Sequence, residues 1–360
     1  MSLDVRPRFP ERRLAVGLLG CGQTARTAHL PAYEAYGVPV VAACDRPEVA
    51  GALGGVLPAG ATAYDDLDAF LADPRVEVVD IATGPAGRVD LIARCLDAGK
   101  HVLAQKPVVA SLDDLAALEE VVARGAERGL RVAVNQNGRW APAWRLTTLL
   151  VRSGAVGEVV GVTHLHDKPL PPIAGTPFDE IDHMLLADYL VHWFDITRCW
   201  LTGSRVDTVA AFDSRVPGQP DAARNPWHAT VHVGTASGAS ASIRVVGDAR
   251  ARRGGCPFWV HGTRGTIRGS ILLGSDRVEL EVDGTTTSYA LEGQWFVDGF
   301  AGTMGELQCA VAEGREPENS VADVAGSVRL GAAALAAVRA GTPVRGLDLD
   351  LARAVAGAVA

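Results

Sequence analysis

The chain has 360 residues, 21% of them charged and 48% hydrophobic, a globular rather than a disordered or fibrous composition. That length exceeds what one hydrophobic core usually serves, so two domains are expected. A formal net charge of −8 offers no electrostatic reason to approach a phosphate polymer or an anionic membrane, so neither nucleic acid nor membrane is expected as a partner.

Six cysteines, at 21, 44, 95, 199, 256 and 309, are scattered with no C-x-x-C pair. This spacing predicts reduced thiols in a cytoplasmic protein, not a disulfide framework or a zinc knuckle. The opening "MSLDVRPRFPERR" lacks the apolar core of a secretory leader. No uncharged apolar run approaches a membrane span, the Ala-rich stretch near the C-terminus being interrupted by Arg329 and Arg339. Arg250, Arg252 and Arg253 read as solvated surface.

In chain order, the first half alternates short apolar runs with helix-like segments. "RLAVGLLG" (13–20), "PVVAACD" (39–45), "VEVVDIATG" (76–84), "KHVLAQ" (100–105) and "RVAVNQ" (131–136) read as strands. "DDLDAFLAD" and "RVDLIARCLDAG" carry apolar positions at helical spacing, and "SLDDLAALEEVVARGAERG" opens on a serine N-cap and closes on glycine. Strands apolar throughout and alternating with helices predict a parallel sheet covered on both faces, with ligands outside the carboxyl ends of the strands. Lys106, directly after an apolar run and before a proline, falls at such an end.

Between the first strand and its helix lies Gly20-x-Gly22-x-x-Ala25. Glycine permits the tight turn and the close approach of backbone to a pyrophosphate, and the helix N-terminus supplies free N–H groups. The second strand ends at Asp45, about 20 residues on, where a ribose-binding acid belongs. Asp45 can accept from the adenosine ribose diol and repels a 2′-phosphate, which favours NAD. Arg46 beside it is suited to pairing with that phosphate, so NADP stays possible. Gly20, Gly22, Gln23, Thr24, Ala25, Asp45 and Arg46 are therefore candidate cofactor contacts, joined by Thr83, Pro85, Gln105, Lys106 and Asn135 at later strand ends.

Beyond residue 138 the pattern changes. Strand-like segments at 157–167, 229–246, 257–269 and 277–291 are joined by turn signals such as Ser237-Gly238 and Asp283-Gly284, with helices near 141–152, 184–202, 298–313 and 320–340. The expected architecture is an α/β N-terminal Rossmann domain (1–138) followed by an α+β domain (139–360) on an open, mainly antiparallel sheet. Within "LLADYLVHWFDITRCWLTG", Asp188 and His192 stand four apart on one helical face. A carboxylate beside an imidazole suits acid–base chemistry, and the same spacing suits a surface pair or a buried, satisfied histidine. His164 and His166 share a strand face and His183 stands elsewhere; no carboxylate or cysteine cluster completes a metal site, so substrate hydrogen bonding or strand packing is expected. Trp140, Trp144, Trp193, Trp200 and Trp295 are expected in the core.

This ordered set resembles the glucose–fructose oxidoreductase/inositol dehydrogenase (Gfo/Idh/MocA) family over nearly the whole chain. "GLLGCGQTARTAHLPA" is similar to its nucleotide loop and "GKHVLAQKPVV" to its G-K-H-V-x-x-E-K-P motif. "NQNGRW" is similar to its exit from the Rossmann domain, "DYLVHWFDITRCWLTG" to its D-x-x-x-H-x-x-D helix, and "HGTRGTIRG" and "AVAEGREPENSVADVAGSVRL" to its C-terminal pattern. The resemblance implies Lys106, Asp188 and His192 as the catalytic set around the substrate carbon facing the nicotinamide, and a cis Lys106–Pro107 bond. It implies an NAD(P)-dependent dehydrogenase or reductase acting on a secondary alcohol or ketone of a sugar or inositol-like polyol, in a homo-oligomer (dimer or tetramer). Arg139, Trp140, His164, His166 and His183 are further candidate substrate contacts. Alternatives are a redox-assisted NAD-dependent glycosidase and a non-catalytic nucleotide-sensing protein of the same fold. The chain departs from the pattern at Gln105 (usually Glu), Val89 (often His) and Leu190 (commonly Gly).

Overall fold

The computed structural model describes residues 3–350 except 172, 202, 248–254, 273 and 275. Arg250, Arg252 and Arg253 lie outside the described residues. The chain divides into two compact units: Arg6–Trp140 with Trp295–Val324, and Ala141–Gln294 with the first residues and the chain from Ala325 onward.

In the first unit, β1 (Val16–Leu19), β2 (Val40–Cys44), β3 (Thr62–Tyr64), β4 (Val78–Ile81), β5 (His101–Gln105) and β6 (Val132–Asn135) form a sheet in the order β3-β2-β1-β4-β5-β6. Every neighbouring pair is parallel. β1, β4 and β6 are buried at every position, as strands covered on both faces must be. The connecting helices are α1 (Leu30–Tyr36), α2 (Pro47–Ala50), α3 (Leu67–Ala72), α4 (Arg88–Asp97) and α5 (Leu112–Glu127). Ser111 caps α5 as expected, its Oγ accepting from the Asp114 N–H at 3.0 Å. The strand order reverses direction at β1/β4, so the carboxyl ends of those two strands flank the crevice where such sheets bind ligands.

The second unit is built on β7 (Val159–His166), β8 (Arg205–Ser214), β9 (His228–Thr235), β10 (Ser240–Val246), β11 (Cys256–Gly262), β12 (Gly265–Ile271), β13 (Arg277–Val282), β14 (Thr285–Tyr289) and β15 (Val344–Asp350), in the order β14-β13-β12-β11-β7-β10-β9-β8-β15. Pairing is antiparallel except for β7 with β10. Alternate residues of β9 and β10 are buried, so one face of the sheet is the core face. Helices α6 (Pro142–Arg152) and α7 (Val191–Trp200) belong to this unit, joined where Trp200 Nε1 donates to Thr148 Oγ1 at 2.9 Å. The Asp283-Gly284 turn has positive φ at both residues (50° and 73°), the tight hairpin geometry its dipeptide predicts.

The linear reading marked no strand at β3, β8 or β15, and it placed the domain break differently. Residues 295–324 fall with the first unit rather than after a break at 138/139. The reason is packing: Met304 and Leu307 of α8 (Phe300–Glu313) share one core cluster with Val16, Val40 and Leu103, and Gln308 Oε1 accepts from the Leu14 N–H at 2.9 Å. By length and composition alone α9 (Val321–Ala340) is apolar enough to cross a membrane, although Asp323, Arg329 and Arg339 interrupt it, the two arginines as the sequence indicates. Half of it is buried within the protein, and Ser327 on it donates to Asp195 Oδ1 of α7 at 2.6 Å, the behaviour of a core helix. All six cysteines are free and buried.

Candidate cofactor and catalytic residues

β1 delivers the chain into the glycine loop. Gly20 has φ +93°, and a Cβ there would lie 2.8 Å from Thr83 Cγ2 and 3.0 Å from the Thr83 nitrogen, so dihedral and space both demand glycine. A Cβ at Gly22 would meet nothing within 4 Å; Gly22, Gln23 and Thr24 are exposed while Ala25 is buried. The loop thus presents an open backbone edge with its small residue turned inward. It enters a π-helical turn, Ala25–His29, before α1 begins.

Asp45 stands just past β2 and reaches the loop: its Oδ2 accepts from the Cys21 N–H at 2.6 Å and its Oδ1 from the Arg46 N–H at 2.7 Å. A carboxylate has about four lone-pair sites, so capacity remains for a ribose diol. The Arg46 side chain is 82% exposed, with its Nε 3.9 Å from Asp45. Burial, reinforced by Asp45, pushes the Cys21 thiol up to about 12, and the same causes push Cys44 to about 11, so both stay protonated beside the loop. A strained glycine, an open loop edge, a helix start and a partly unsatisfied acid are what a dinucleotide requires, and the residues present fit NAD.

At the end of β5, the Lys106–Pro107 bond is cis and Lys106 is half-buried. Buried Arg88 (1% exposed) donates to the carbonyls of Thr83, Gln105 and Pro107, tying the ends of β4 and β5 together. Pro85 sits in the same β4 turn, its carbonyl accepting from the Arg88 N–H at 3.2 Å. Gln105 is buried, with Oε1 accepting from the Lys106 N–H at 2.7 Å and Nε2 3.1 Å from His29 Nε2. His29 Nδ1 and Tyr33 Oη both lie 2.6 Å from Asp80 Oδ2. Asn135 is fully buried and accepts from Thr303 Oγ1 at 2.7 Å. Arg139 is held inside the first unit by Asp323 and the Glu318 carbonyl, each at 2.6 Å, and Trp140 packs against Gly302 of α8.

In the second unit, the segment expected as one helix is divided. Leu185–Tyr189 form a π-helical turn, closed by the Leu190 N–H to the Leu185 carbonyl at 2.8 Å, and α7 follows from Val191. Asp188, in the wide turn, is buried; His192, in the first turn of α7, is half-buried. The extra residue in the turn shifts their angular relationship from that of a regular four-residue step. Such bulges recur at functional sites.

His166 Nε2 lies 2.7 Å from Tyr189 Oη, which burial keeps protonated, and Tyr189 stacks on Trp193. Burial pulls His166 down to about 4. His164 stacks on Trp200 with ring centroids 5.3 Å apart, and burial pulls it down to about 3. Both imidazoles are neutral at pH 7. His183 has φ +52°, and its Nδ1 lies 2.7 Å from Asp213 Oδ2. The tryptophans at 140, 144, 193, 200 and 295 are all buried, as expected. Sequence reasoning missed His29, Tyr33, Asp80 and Arg88. A histidine four residues past Ala25 was the visible signal, but its partners lie 51 and 76 positions away.

A Rossmann unit carrying this loop and a second unit on an open sheet define a nucleotide-dependent oxidoreductase plan. Residues 14–136 match the model of the Gfo/Idh/MocA oxidoreductase family, NAD-binding Rossmann fold, and residues 144–268 match a Gfo/Idh/MocA C-terminal domain. The chain belongs to the Gfo/Idh/MocA family of NAD-binding oxidoreductases. It is 30% identical to D-apiose dehydrogenase of Paraburkholderia graminis over 57% of this chain and 54% of that one. It is 31% identical to inositol 2-dehydrogenase of Rhodococcus jostii over 59% and 55% respectively. The chain thus spans about half the length of the curated relatives it matches. An oxidoreductase from Agrobacterium radiobacter, solved with NAD+, L-tartaric acid and magnesium, shares the fold with TM-score 0.78 and 22% identity over 93% of this chain and 98% of that one.

Proposed function

We propose that this protein is a cytoplasmic NAD-dependent dehydrogenase or reductase acting on a secondary alcohol or ketone of a sugar or inositol-like polyol. The observation carrying the cofactor choice is the Asp45 carboxylate beside the glycine loop, bonded to the Cys21 N–H at 2.6 Å. A fixed negative charge there suits a ribose diol and opposes a 2′-phosphate, so NAD is preferred to NADP. The names of the apiose and inositol relatives support the polyol reading.

Bound NAD+ supplies the hydride acceptor. In alcohol oxidation the hydroxyl proton must leave, which calls for a base at that oxygen and a donor that stabilises developing charge. We assign the base to His192, oriented by Asp188, and the donor to Lys106; in reduction the roles reverse. The position of half-buried Lys106 at a strand end, where Gln105 Oε1 holds its backbone N–H and Arg88 holds the carbonyls of Gln105 and Pro107, supports its part. Gly20, Gly22, Gln23, Thr24, Ala25 and Asp45 are proposed to hold the nucleotide, and a homo-oligomer is the proposed working form.

The test is a panel of inositols, aldoses, apiose and their ketones, followed by nicotinamide absorbance with NAD and NADP in parallel. Turnover of at least one polyol with NAD favoured is the expected result. Absence of any nicotinamide turnover across the panel in both directions contradicts the reading.

A further inference from the structure

The first unit holds a chain of buried polar groups running from β4 to the end of β5. His29, closing the π-helical turn, and Asp80 on β4 are both 0% exposed. Asp80 Oδ2 receives Tyr33 Oη from α1 and His29 Nδ1, each at 2.6 Å. Burial and the Asp80 charge hold Tyr33 well above its ordinary value, so its phenol remains a donor. On the far side of the imidazole, His29 Nε2 meets Gln105 Nε2 at 3.1 Å. Gln105 Oε1 then accepts the Lys106 backbone N–H at 2.7 Å.

Hydrogen-bonding logic fixes every proton in this chain. The Lys106 N–H is a donor, so the Gln105 atom facing it must be the carbonyl oxygen, and the amino group must face the histidine. A carboxamide nitrogen donates, so His29 Nε2 must be bare. A neutral imidazole with a bare Nε2 carries its hydrogen on Nδ1, where Asp80 is waiting to accept it. One tautomer gives a partner to both ring nitrogens, the carboxamide, the phenol and Asp80 Oδ2, while Asp80 Oδ1 has none among the described residues.

We propose that Asp80, His29 and Gln105 form a positioning relay for Lys106, working through a neutral imidazole. The aspartate fixes the ring, the ring fixes the carboxamide, and the carboxamide fixes the peptide N–H of the lysine. Arg88 secures the carbonyl side of the same segment. Facing the His29 ring are Asp80 from β4, Tyr33 from α1, Gln105 from β5 and the apolar ring of Phe300 from α8, edge-on at 4.7 Å. Replacing the amide at 105 by a carboxyl group puts an oxygen against Nε2, so an added proton must then lie between the two, on the ring or on the carboxyl. A glutamine here lets the relay work without holding that proton. The relay's value for turnover rests on the role given to Lys106 above; its geometry and proton state do not.

The experiment is nitrogen-15 NMR and amide exchange on the full chain without ligand. Wild-type His29 is expected to show one protonated and one bare ring nitrogen at neutral pH, and the Gln105→Glu protein a shifted Nε2 signal from the proton added at that contact, an unchanged signal counting against the relay. In His29→Phe, the Lys106 amide should exchange roughly tenfold faster, the loss of about one hydrogen bond, while the amides of β1 and β2 keep their protection. Should His29→Phe fail to fold, the Gln105→Glu spectrum still decides. A doubly protonated wild-type ring, a hydrogen on Nε2, an unchanged Lys106 amide, or equal loss of protection across the sheet overturns the relay. If the relay signatures hold while Lys106→Ala keeps full turnover, the dehydrogenase assignment of Lys106 falls and the relay stands. The opposite pattern removes the relay alone.

Discussion

The backbone N–H of Cys21 donates to Asp45 Oδ2 at 2.6 Å, so the acid following β2 also holds the glycine loop that follows β1. One side chain shapes the loop and, in the function proposed above, also meets the ribose. Asp45→Ala should weaken NAD binding by about 1–3 kcal/mol, the cost of leaving a charge-assisted bond unmade. It should also narrow the gap between NAD and NADP. Asp45→Asn keeps an acceptor for the loop but removes the charge, and should lose discrimination more than affinity. Titration of both nucleotides checks this, and unchanged NAD affinity in Asp45→Ala counts against it.

Gly20 makes a second, independent prediction. Its φ of +93° and the 2.8 Å approach to Thr83 Cγ2 leave no room for a methyl group. Gly20→Ala should cost roughly 1–3 kcal/mol in backbone strain and displace the loop from the β4 turn. Gly22→Ala, where a Cβ meets nothing within 4 Å, should leave thermal stability nearly unchanged and weaken only nucleotide binding. Thermal melts with and without NAD separate the two.

The buried histidines make stability depend on pH. Their folded values, about 3 for His164 and about 4 for His166, lie below the ordinary 6.5. The unfolded chain therefore binds more protons between these limits, and stability is full above pH 6.5 and falls as pH drops towards 4. Each unit of difference is worth about 1.4 kcal/mol, which bounds the combined loss at roughly 8 kcal/mol. His164 sits against Trp144, Trp200 and Phe258, and its Nε2 has no hydrogen-bond partner among the described residues. His164→Phe should thus cost little at pH 7 and flatten the acid side of the curve. Urea midpoints measured across pH test the sign; a midpoint that rises on acidification refutes it.

Much of this architecture was legible in the sequence because it depends on local pattern. Five strands of the first unit (all but β3), the Gly20–Ala25 loop, the end of β2 just before Asp45, the Ser111 cap and the Asp283-Gly284 hairpin each have a short-range physical cause. The π-helical turns at Ala25–His29 and Leu185–Tyr189 were not legible, since one inserted residue changes the bonding without changing the composition. Nor was the return of α8 to the first unit, or the parallel pairing of β7 with β10, because such pairings are decided by long-range packing. Asp80 read as one polar residue in an apolar strand. Only the folded sheet brings His29, Tyr33 and Gln105 to it.

The central claim is that Lys106 and His192 serve hydride transfer from an alcohol to bound NAD. Its most direct test is the steady-state turnover of Lys106→Ala and His192→Ala, with NAD affinity measured on the same preparations. Each variant should lose about two to four orders of magnitude in kcat, the usual worth of a positioned proton donor or acceptor, with nucleotide affinity within about threefold of wild type. Near-normal kcat in both proteins would contradict the account.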